Sequence, residues 1–107
     1  MSPSTSTLAD ILKSLAQPTR LKIVEFLRDG ERCVCEIFPA IGEEQSNTSR
    51  HLAYMQTHGI LTRRKEGVKI FYGLKHQEAL AIVDLAAKMA RREGGRRRET
   101  PAAGKVA

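Results

Sequence analysis

The chain has 107 residues, of which 41% are hydrophobic and 28% charged, and its formal net charge is +6. This size and composition predict one small folded domain and exclude an intrinsically disordered or collagen-like chain. No apolar run approaches the roughly 18 residues of a membrane span, and residues 1–10 lack the basic and apolar regions of a secretory signal. We therefore expect a cytoplasmic protein without a membrane partner.

The excess of positive charge favours a polyanionic partner, although much of it lies near the end of the sequence. Residues 91–107 hold six basic residues against two acidic ones. Residues 94–107 combine glycine, proline and arginine without hydrophobic periodicity, so we predict a flexible basic tail there, whose simplest role is solubility. The folded domain is then expected over residues 1–93.

The first two predicted elements are amphipathic helices. Thr7 and Asp10 are spaced as in a capping box, and the apolar side chains that follow repeat at the i, i+3, i+4, i+7 spacing of one helix face. Pro18 suits the first position of a second helix, which is expected to end near Asp29, before Gly30. The apolar stripe of the first helix consists of Leu8, Ile11, Leu12 and Leu15, and the side chains of the second helix that are expected to face inward are Leu21, Ile23, Val24 and Leu27.

Two short helices are predicted next, with a glycine turn between them. The third is expected to start around residues 33–35 and to end at Gly42, and the fourth to run from residues 44–46 to about His58. Each has an apolar face, and the opposite face of the fourth helix is polar. The apolar faces consist of Ile37, Phe38 and Ile41 in the third helix and of Thr48, Leu52 and Met55 in the fourth.

After Gly59 the hydrophobic pattern changes from a helical period to a period of two. Residues 60–65 and 68–74 are rich in β-forming side chains, and Glu66-Gly67 lies between them. Glycine supplies the positive φ that a tight hairpin turn requires. The sequence therefore predicts a two-stranded hairpin.

A last helix is predicted over about residues 77–92. Between residues 78 and 90 it has only three charged side chains, so its apolar circumference must be covered on more than one side. In so small a domain we predict that the same helix of a second copy covers it, which gives a homodimer through the N- and C-terminal helices. An ordinary core helix and a docking surface for a different protein are the alternatives.

This order of elements predicts a mainly α-helical winged helix-turn-helix domain. Amides and arginine near a helix N-terminus reach base edges, hydroxyls hold phosphates, and a basic hairpin contacts phosphates or the minor groove, so double-stranded DNA is the expected partner. The sequence has no nucleophile with a base, no carboxylate pair and no glycine-rich phosphate loop, so we do not expect an enzyme. The candidate DNA-binding residues are Gln45, Ser46, Asn47, Thr48, Ser49, Arg50 and His51 on the fourth helix, and Arg64, Lys65 and Lys69 beside Arg63 on the hairpin.

Five fragments in order resemble the ArsR/SmtB family of metal-responsive repressors, and the resemblance extends over about residues 7–92. It implies a dimeric winged helix-turn-helix protein that represses an operon until an inducer lowers its affinity for DNA. The chain departs from the family at Glu44-Gln45-Ser46, where members often have Ser-Gln-Pro, so the helix cap is altered and an acidic group lies near the DNA. The fragments are LAQPTRLKIV (15–24), CVCEI (33–37), SRHL (49–52), HGIL (58–61) and GVKIFYGL (67–74).

Cys33 and Cys35 lie where arsenic- and cadmium-sensing members of this family keep thiolate ligands, so the resemblance implies a metal site. Cytosolic thiols stay reduced, and soft thiolates favour As(III) or Sb(III), that is arsenite or antimonite, as an inducer rather than a permanent cofactor. Positions i and i+2 of a helix point about 200° apart. Joint binding of one ion therefore requires the helix start to unwind or bend, which would disturb the fourth helix and couple inducer to DNA.

The sequence does not identify the third ligand of an arsenic ion bound to Cys33 and Cys35. The family's arsenic pattern often has a third cysteine where this chain has Phe38, so water, hydroxide, an external thiol or a non-sulfur side chain is expected to be that ligand. No structural zinc is expected, because four ligands in a recognisable spacing are missing. Three alternatives for the pair remain: another soft metal such as cadmium, a redox or persulfide-derived bridge, and simple packing of small buried residues.

Overall fold

Five helices and three strands follow one another over residues 2–94, the part of the chain that the computed structural model describes. The predicted basic tail, apart from Gly94, lies outside the described residues. No helix among residues 2–94 combines the length and the apolar character needed to cross a membrane. The elements are α1 (Thr5–Leu15), α2 (Pro18–Phe26), β1 (Arg32–Cys33), α3 (Val34–Ile41), α4 (Gln45–Thr57), β2 (Leu61–Glu66), β3 (Lys69–Leu74) and α5 (Glu78–Gly94).

Side-chain caps fix where the first two helices begin. The Ser4 hydroxyl accepts a hydrogen bond from the backbone N–H of Thr7 at 3.1 Å, so α1 starts before the predicted capping box at Thr7 and Asp10, and that part of the prediction is wrong. The Gln17 side chain accepts from the backbone N–H of Arg20 at 3.1 Å, directly ahead of Pro18 at the first position of α2. α2 ends at Phe26 and is followed by a turn, earlier than predicted.

The core lies where α2, α3, α4 and the hairpin meet. Most of the side chains predicted to face inward are buried there, but Leu21 is exposed. In the apolar stripe of α1, Leu8 and Leu12 are 48% and 52% exposed. The predicted apolar stripe of α1 is therefore covered at Leu15 and open at the surface of the chain at Leu8 and Leu12. The buried core consists of Leu15, Ile23, Val24, Leu27, Ile37, Ile41, Leu52, Met55, Ile60, Leu61, Tyr72 and Ala79.

The three strands form one antiparallel sheet in the order β1-β3-β2. β2 and β3 pair from Leu61 opposite Leu74 to Glu66 opposite Lys69, so the turn is Gly67-Val68, one residue later than predicted. Gly67 adopts φ +63°, which favours glycine. β1 was not predicted, because two residues carry no period-two signal.

α5 is attached to the domain by its first half. Ala79 is buried, and the Arg28 guanidinium donates to Asp84 at 2.7 Å and to Glu25 at 2.8 Å. The hydrogen bond from Arg28 holds the pKa of Asp84 below its usual range. Further along α5, Leu85 and Met89 are 60% and 62% exposed, so the second half presents large apolar side chains at the surface of the chain.

Candidate nucleic-acid interface and cysteine pair

The first half of α4 presents an exposed polar face. Gln45, Ser46, Ser49 and Arg50 are all exposed there, as predicted for residues that contact DNA. Glu44 occupies the N-cap position in an extended conformation (φ −72°, ψ 152°), and its side chain makes no capping hydrogen bond. The N-terminus of α4 therefore differs from the usual side-chain cap, as expected from the sequence. The backbone amides of its first turn donate no hydrogen bond to the Glu44 side chain.

Thr48 does not belong to this face. Its side chain is fully buried together with Leu52 and Met55, as predicted for the apolar face of this helix, and the separate prediction that Thr48 contacts DNA is wrong. The reason is its position at i, i+4, i+7 spacing with those two residues, which places all three on the core side of α4. The Thr48 hydroxyl has no hydrogen-bond partner within the described part of the chain.

Asn47 and Arg50 are held by a carboxylate in the turn before α4. Glu43 accepts hydrogen bonds from the Asn47 amide at 3.1 Å and from the Thr19 hydroxyl at 3.2 Å, and it lies 3.7 Å from the Lys22 ammonium. The Asn47 carbonyl oxygen in turn accepts from the Arg50 guanidinium at 2.6 Å. Asn47 thus positions Arg50. Sequence reasoning missed Glu43, whose partners on α2 are distant along the chain.

His51 faces α2 and is half-buried. The Arg20 Nε donates to His51 Nδ1 at 3.2 Å, and the same guanidinium lies 3.8 Å from the centre of the Tyr54 ring, which stacks on His58. Burial, and then the positive charges of Arg20 and Arg50, lower the pKa of His51. An acceptor at Nδ1 places the proton of neutral His51 on Nε2. Through this contact His51 attaches α4 to α2.

Arg64, a predicted contact of the hairpin with DNA, is held within the protein. Its guanidinium lies 2.9 Å from a carboxylate oxygen of both Glu31 and Glu66, and 4.6 Å from the centre of the Phe71 ring. Its charge is therefore already paired. The neighbouring exposed cations, which form no ion pair within residues 2–94, are Arg63, Lys65 and Lys69.

Cys33 and Cys35 lie at the junction of β1 and α3. Cys33 is the N-cap of α3: its sulfur accepts from the backbone N–H of Cys35 at 3.1 Å, and its own N–H donates to Glu36 at 3.1 Å. The two sulfurs are joined as a disulfide, with the Cα atoms 5.1 Å apart, so the pair is not in the predicted reduced state. Because Cys33 precedes the helix in an extended conformation, the expected 200° separation does not apply, and no unwinding is needed.

A groove of about 600 Å³ separates the cysteine pair from α4 and the hairpin. Cys33 is buried and Cys35 is exposed beside it. No group of three or more His, Cys, Asp or Glu suited to a metal ion occurs within residues 2–94. The groove thus places the two sulfurs among candidate DNA-binding residues. Its lining residues are Cys33, Val34, Cys35 and Phe38, then Gln45 and Ser49 of α4, and Arg63, Val68, Lys69, Ile70 and Tyr72 of the hairpin.

Comparison with known sequences identifies relatives of the chain. The sequence profile described as "Bacterial regulatory protein, arsR family" matches residues 17–63, from the start of α2 into β2. The arsenical resistance operon repressor of Escherichia coli (strain K12) is 43% identical over 65 residues, which are 60% of this chain and 56% of that repressor. The chain likewise spans only 60% and 61% of the length of two other arsenic resistance regulators.

Solved structures of relatives have the same fold. Reduced HlyU from Vibrio cholerae N16961 is 32% identical, with a TM-score of 0.71 over 79% of this chain and 90% of that one. The homodimeric winged helix-turn-helix DNA-binding domain Mb0332 from Mycobacterium bovis, described as a possible ArsR-family regulator, is 25% identical, with a TM-score of 0.74 over 90% and 89% of the two chains. The predicted winged helix-turn-helix fold is confirmed, and the chain belongs to the ArsR family of DNA-binding transcription regulators.

Proposed function

We propose that the chain is a homodimeric repressor that binds operator DNA through α4 and the β2-β3 hairpin. It releases the DNA when arsenite or antimonite binds the thiolates of Cys33 and Cys35. The observation that carries this proposal is the position of the sulfur pair, which opens onto a groove lined by α4 and by the hairpin. The names of the arsenic resistance relatives support the choice of inducer.

Cys33 connects the sulfur pair to both DNA-binding elements. As a residue of β1 it pairs with Phe71 of β3. It is also the N-cap of α3, and α3 packs against α4. An ion bound to both sulfurs replaces the contact between the Cys33 sulfur and the Cys35 amide, so it alters the start of α3 and the β1-β3 pairing together. Inducer and DNA then favour different arrangements of the same elements, and each lowers the affinity of the other by the same factor.

The proposal is tested by fluorescence anisotropy of a labelled DNA fragment from the region upstream of the gene that encodes this chain. The protein is kept reduced with a phosphine, because dithiol reductants would bind arsenic themselves. Titration with arsenite or antimonite is expected to release the DNA, and zinc is not. Failure to bind the fragment at low salt would contradict the DNA-binding part, and binding without release by either ion would contradict the choice of inducer.

A thiol-redox repressor of the same fold is the second candidate, and the disulfide between Cys33 and Cys35 favours it. Oxidation of two thiols to a disulfide removes two electrons and two protons and requires an oxidant such as a peroxide or a polysulfide. A relative with this fold has a solved structure that is named as reduced. Release of the same DNA by an oxidant, without release by arsenite, antimonite or cadmium, is the result that this candidate predicts.

The hairpin cations are expected to differ in their effect on DNA affinity. Arg63→Ala and Lys69→Ala should each weaken binding to all DNA sequences and reduce the slope of log affinity against log salt by roughly 0.9. Arg64→Ala should change the slope less, because Glu31 and Glu66 already neutralise that guanidinium. Affinities measured at several salt concentrations provide the comparison, and a full slope change for Arg64→Ala would contradict this assignment.

The exposed apolar side chains of α1 and α5 are expected to form the dimer interface. Leu8, Leu12, Leu85 and Met89 are large, apolar and exposed on these two helices, and Mb0332 is homodimeric. Replacing Leu85 and Met89 together by Glu is expected to give a folded monomer, as measured by size-exclusion chromatography with light scattering. Val68→Glu at the exposed hairpin turn is the matched control and should stay dimeric; a monomeric wild-type chain would contradict the proposal.

A further inference from the structure

We propose that the cysteine pair selects trivalent organoarsenicals over inorganic arsenite. In such a ligand one arsenic substituent is a small alkyl or aryl group, which lies in the groove beside Phe38. This inference rests on the proposed function, because it names the ligand class of the same thiolate site.

The first step of the argument is the number of ligands that the protein supplies. Trivalent arsenic forms three bonds, and Cys33 and Cys35 provide two sulfurs. No His, Asp or Glu lines the groove around them, and no suitable group of three or more such residues occurs within residues 2–94. The third bond is therefore filled by a substituent that arrives with the arsenic.

The second step is the chemistry of the surface that this substituent meets. Phe38 lies three residues after Cys35 on α3, so both side chains project from the same side of the helix. Val34, Ile70 and Tyr72 also line the groove, so carbon surrounds much of the space next to the sulfurs. Where it faces Phe38 and Val34 of α3, a hydroxyl on arsenic loses hydration, whereas an alkyl or aryl group gains apolar contact. The polar side chains of the groove belong to α4 and the hairpin.

The reaction itself is a substitution at arsenic. Two As–S bonds form and two As–O bonds of R–As(OH)₂ break; each thiol proton leaves with a hydroxide as water, and arsenic stays trivalent. The disulfide must first be reduced, and low-molecular-weight thiols do this by exchange, becoming a disulfide themselves.

The bound carbon group also explains why DNA would be released. The groove continues to Gln45 and Ser49 on α4 and to Arg63 and Lys69 on the hairpin. A substituent between these elements occupies space that lies next to the proposed DNA contacts. Release of the DNA then follows both from the substituent in the groove and from the lost hydrogen bond between the Cys33 sulfur and the Cys35 amide.

The test compares the full chain with a peptide of residues 32–36, which has both thiols but lacks the groove. Phenylarsine oxide, methylarsonous acid and arsenite are titrated into each under phosphine reduction, and binding is followed by mass spectrometry and, for the chain, by DNA release. The peptide gives the intrinsic preference of a dithiol for each compound. We expect the preference for phenylarsine oxide over arsenite to be about tenfold larger in the chain than in the peptide.

Phe38→Cys tests directly the role of the apolar surface at position 38 of the groove. It adds a third thiolate at i+3 from Cys35, so arsenite should bind about tenfold or more tightly than in the wild type, and the preference for the phenyl compound should disappear. Phe38→Leu is the matched control, because it keeps the position apolar and should retain the preference.

Each outcome has a separate meaning. Equal preferences in chain and peptide, with DNA release by all three compounds, would overturn this inference and leave the proposed function intact. DNA binding without release by any arsenical would overturn both. If Phe38→Cys does not fold, the comparison of the wild-type chain with the peptide still decides between these results.

Discussion

Arg50→Ala is expected to lower operator affinity by roughly 100-fold while leaving the chain folded and dimeric. The Arg50 guanidinium is exposed on the polar face of α4, and its hydrogen bond to Asn47 fixes its direction. A guanidinium that contacts a guanine with two hydrogen bonds contributes about 1–3 kcal/mol of discrimination, and the loss of its charge weakens binding further. The measurement is fluorescence anisotropy with the operator fragment and with a shuffled duplex.

Gln56→Ala is the matched control for this variant. Gln56 is exposed on the same helix but lies near its C-terminal end, so its truncation should leave operator affinity close to that of the wild type. Circular dichroism and light scattering establish that both variants keep their fold and dimeric state. Wild-type operator affinity of Arg50→Ala would mean that α4 is not the element that reads the DNA.

Cys35→Ser is expected to bind operator normally and to require at least roughly 100-fold more arsenite for release. One remaining thiolate loses the advantage of a second ligand held close by, which is worth roughly 10²–10⁴ in apparent affinity. Cys35 is exposed, and its side chain caps no helix, so its replacement has little effect on the fold. Anisotropy titration of the reduced variant beside the wild type measures the shift.

Cys33→Ser is expected to behave in the same way, although Cys33 is buried. Serine is a strong N-cap residue and is able to accept the hydrogen bond from the Cys35 amide, so the start of α3 is retained. Release of either variant at the wild-type arsenite concentration would contradict a site of two thiolates. Because both variants also lose the ability to form the disulfide, only the comparison of arsenite with an oxidant distinguishes the metal from the redox candidate.

The sequence was sufficient to predict the helices, the hairpin and most of the core. Leu52 and Met55 were placed correctly because helical periodicity is a local property of the chain. Leu8 and Leu12 show the limit of that argument. An apolar stripe identifies the face of a helix that avoids water, but it does not say whether the same chain or a second copy covers the face.

The candidate site was harder to predict, because its side chains are engaged by residues distant in sequence. Glu31 is 33 residues from Arg64, and Arg20 is 31 residues from His51, so residue type and spacing gave no indication of either contact. The conformation of Cys33 depends on β1, whose partners on β3 are still more distant along the chain, with Arg32 opposite Tyr72 and Cys33 opposite Phe71. The chemistry of the residues was thus predictable, whereas which of them remain available to a partner was not.

The contacts of Glu43 limit how α4 can be reused in protein engineering. Residues 45–57 could be taken for a DNA-reading helix that can be transferred on its own. The direction of the Arg50 side chain, however, depends on its hydrogen bond to Asn47. Asn47 is in turn hydrogen-bonded to Glu43, which accepts a hydrogen bond from Thr19 of α2. A graft of α4 alone onto another scaffold would lack the Glu43 and Thr19 side chains that orient Asn47 and Arg50. A transplant that preserves sequence preference must therefore carry Glu43 and an α2 hydroxyl at the position of Thr19 along with the helix.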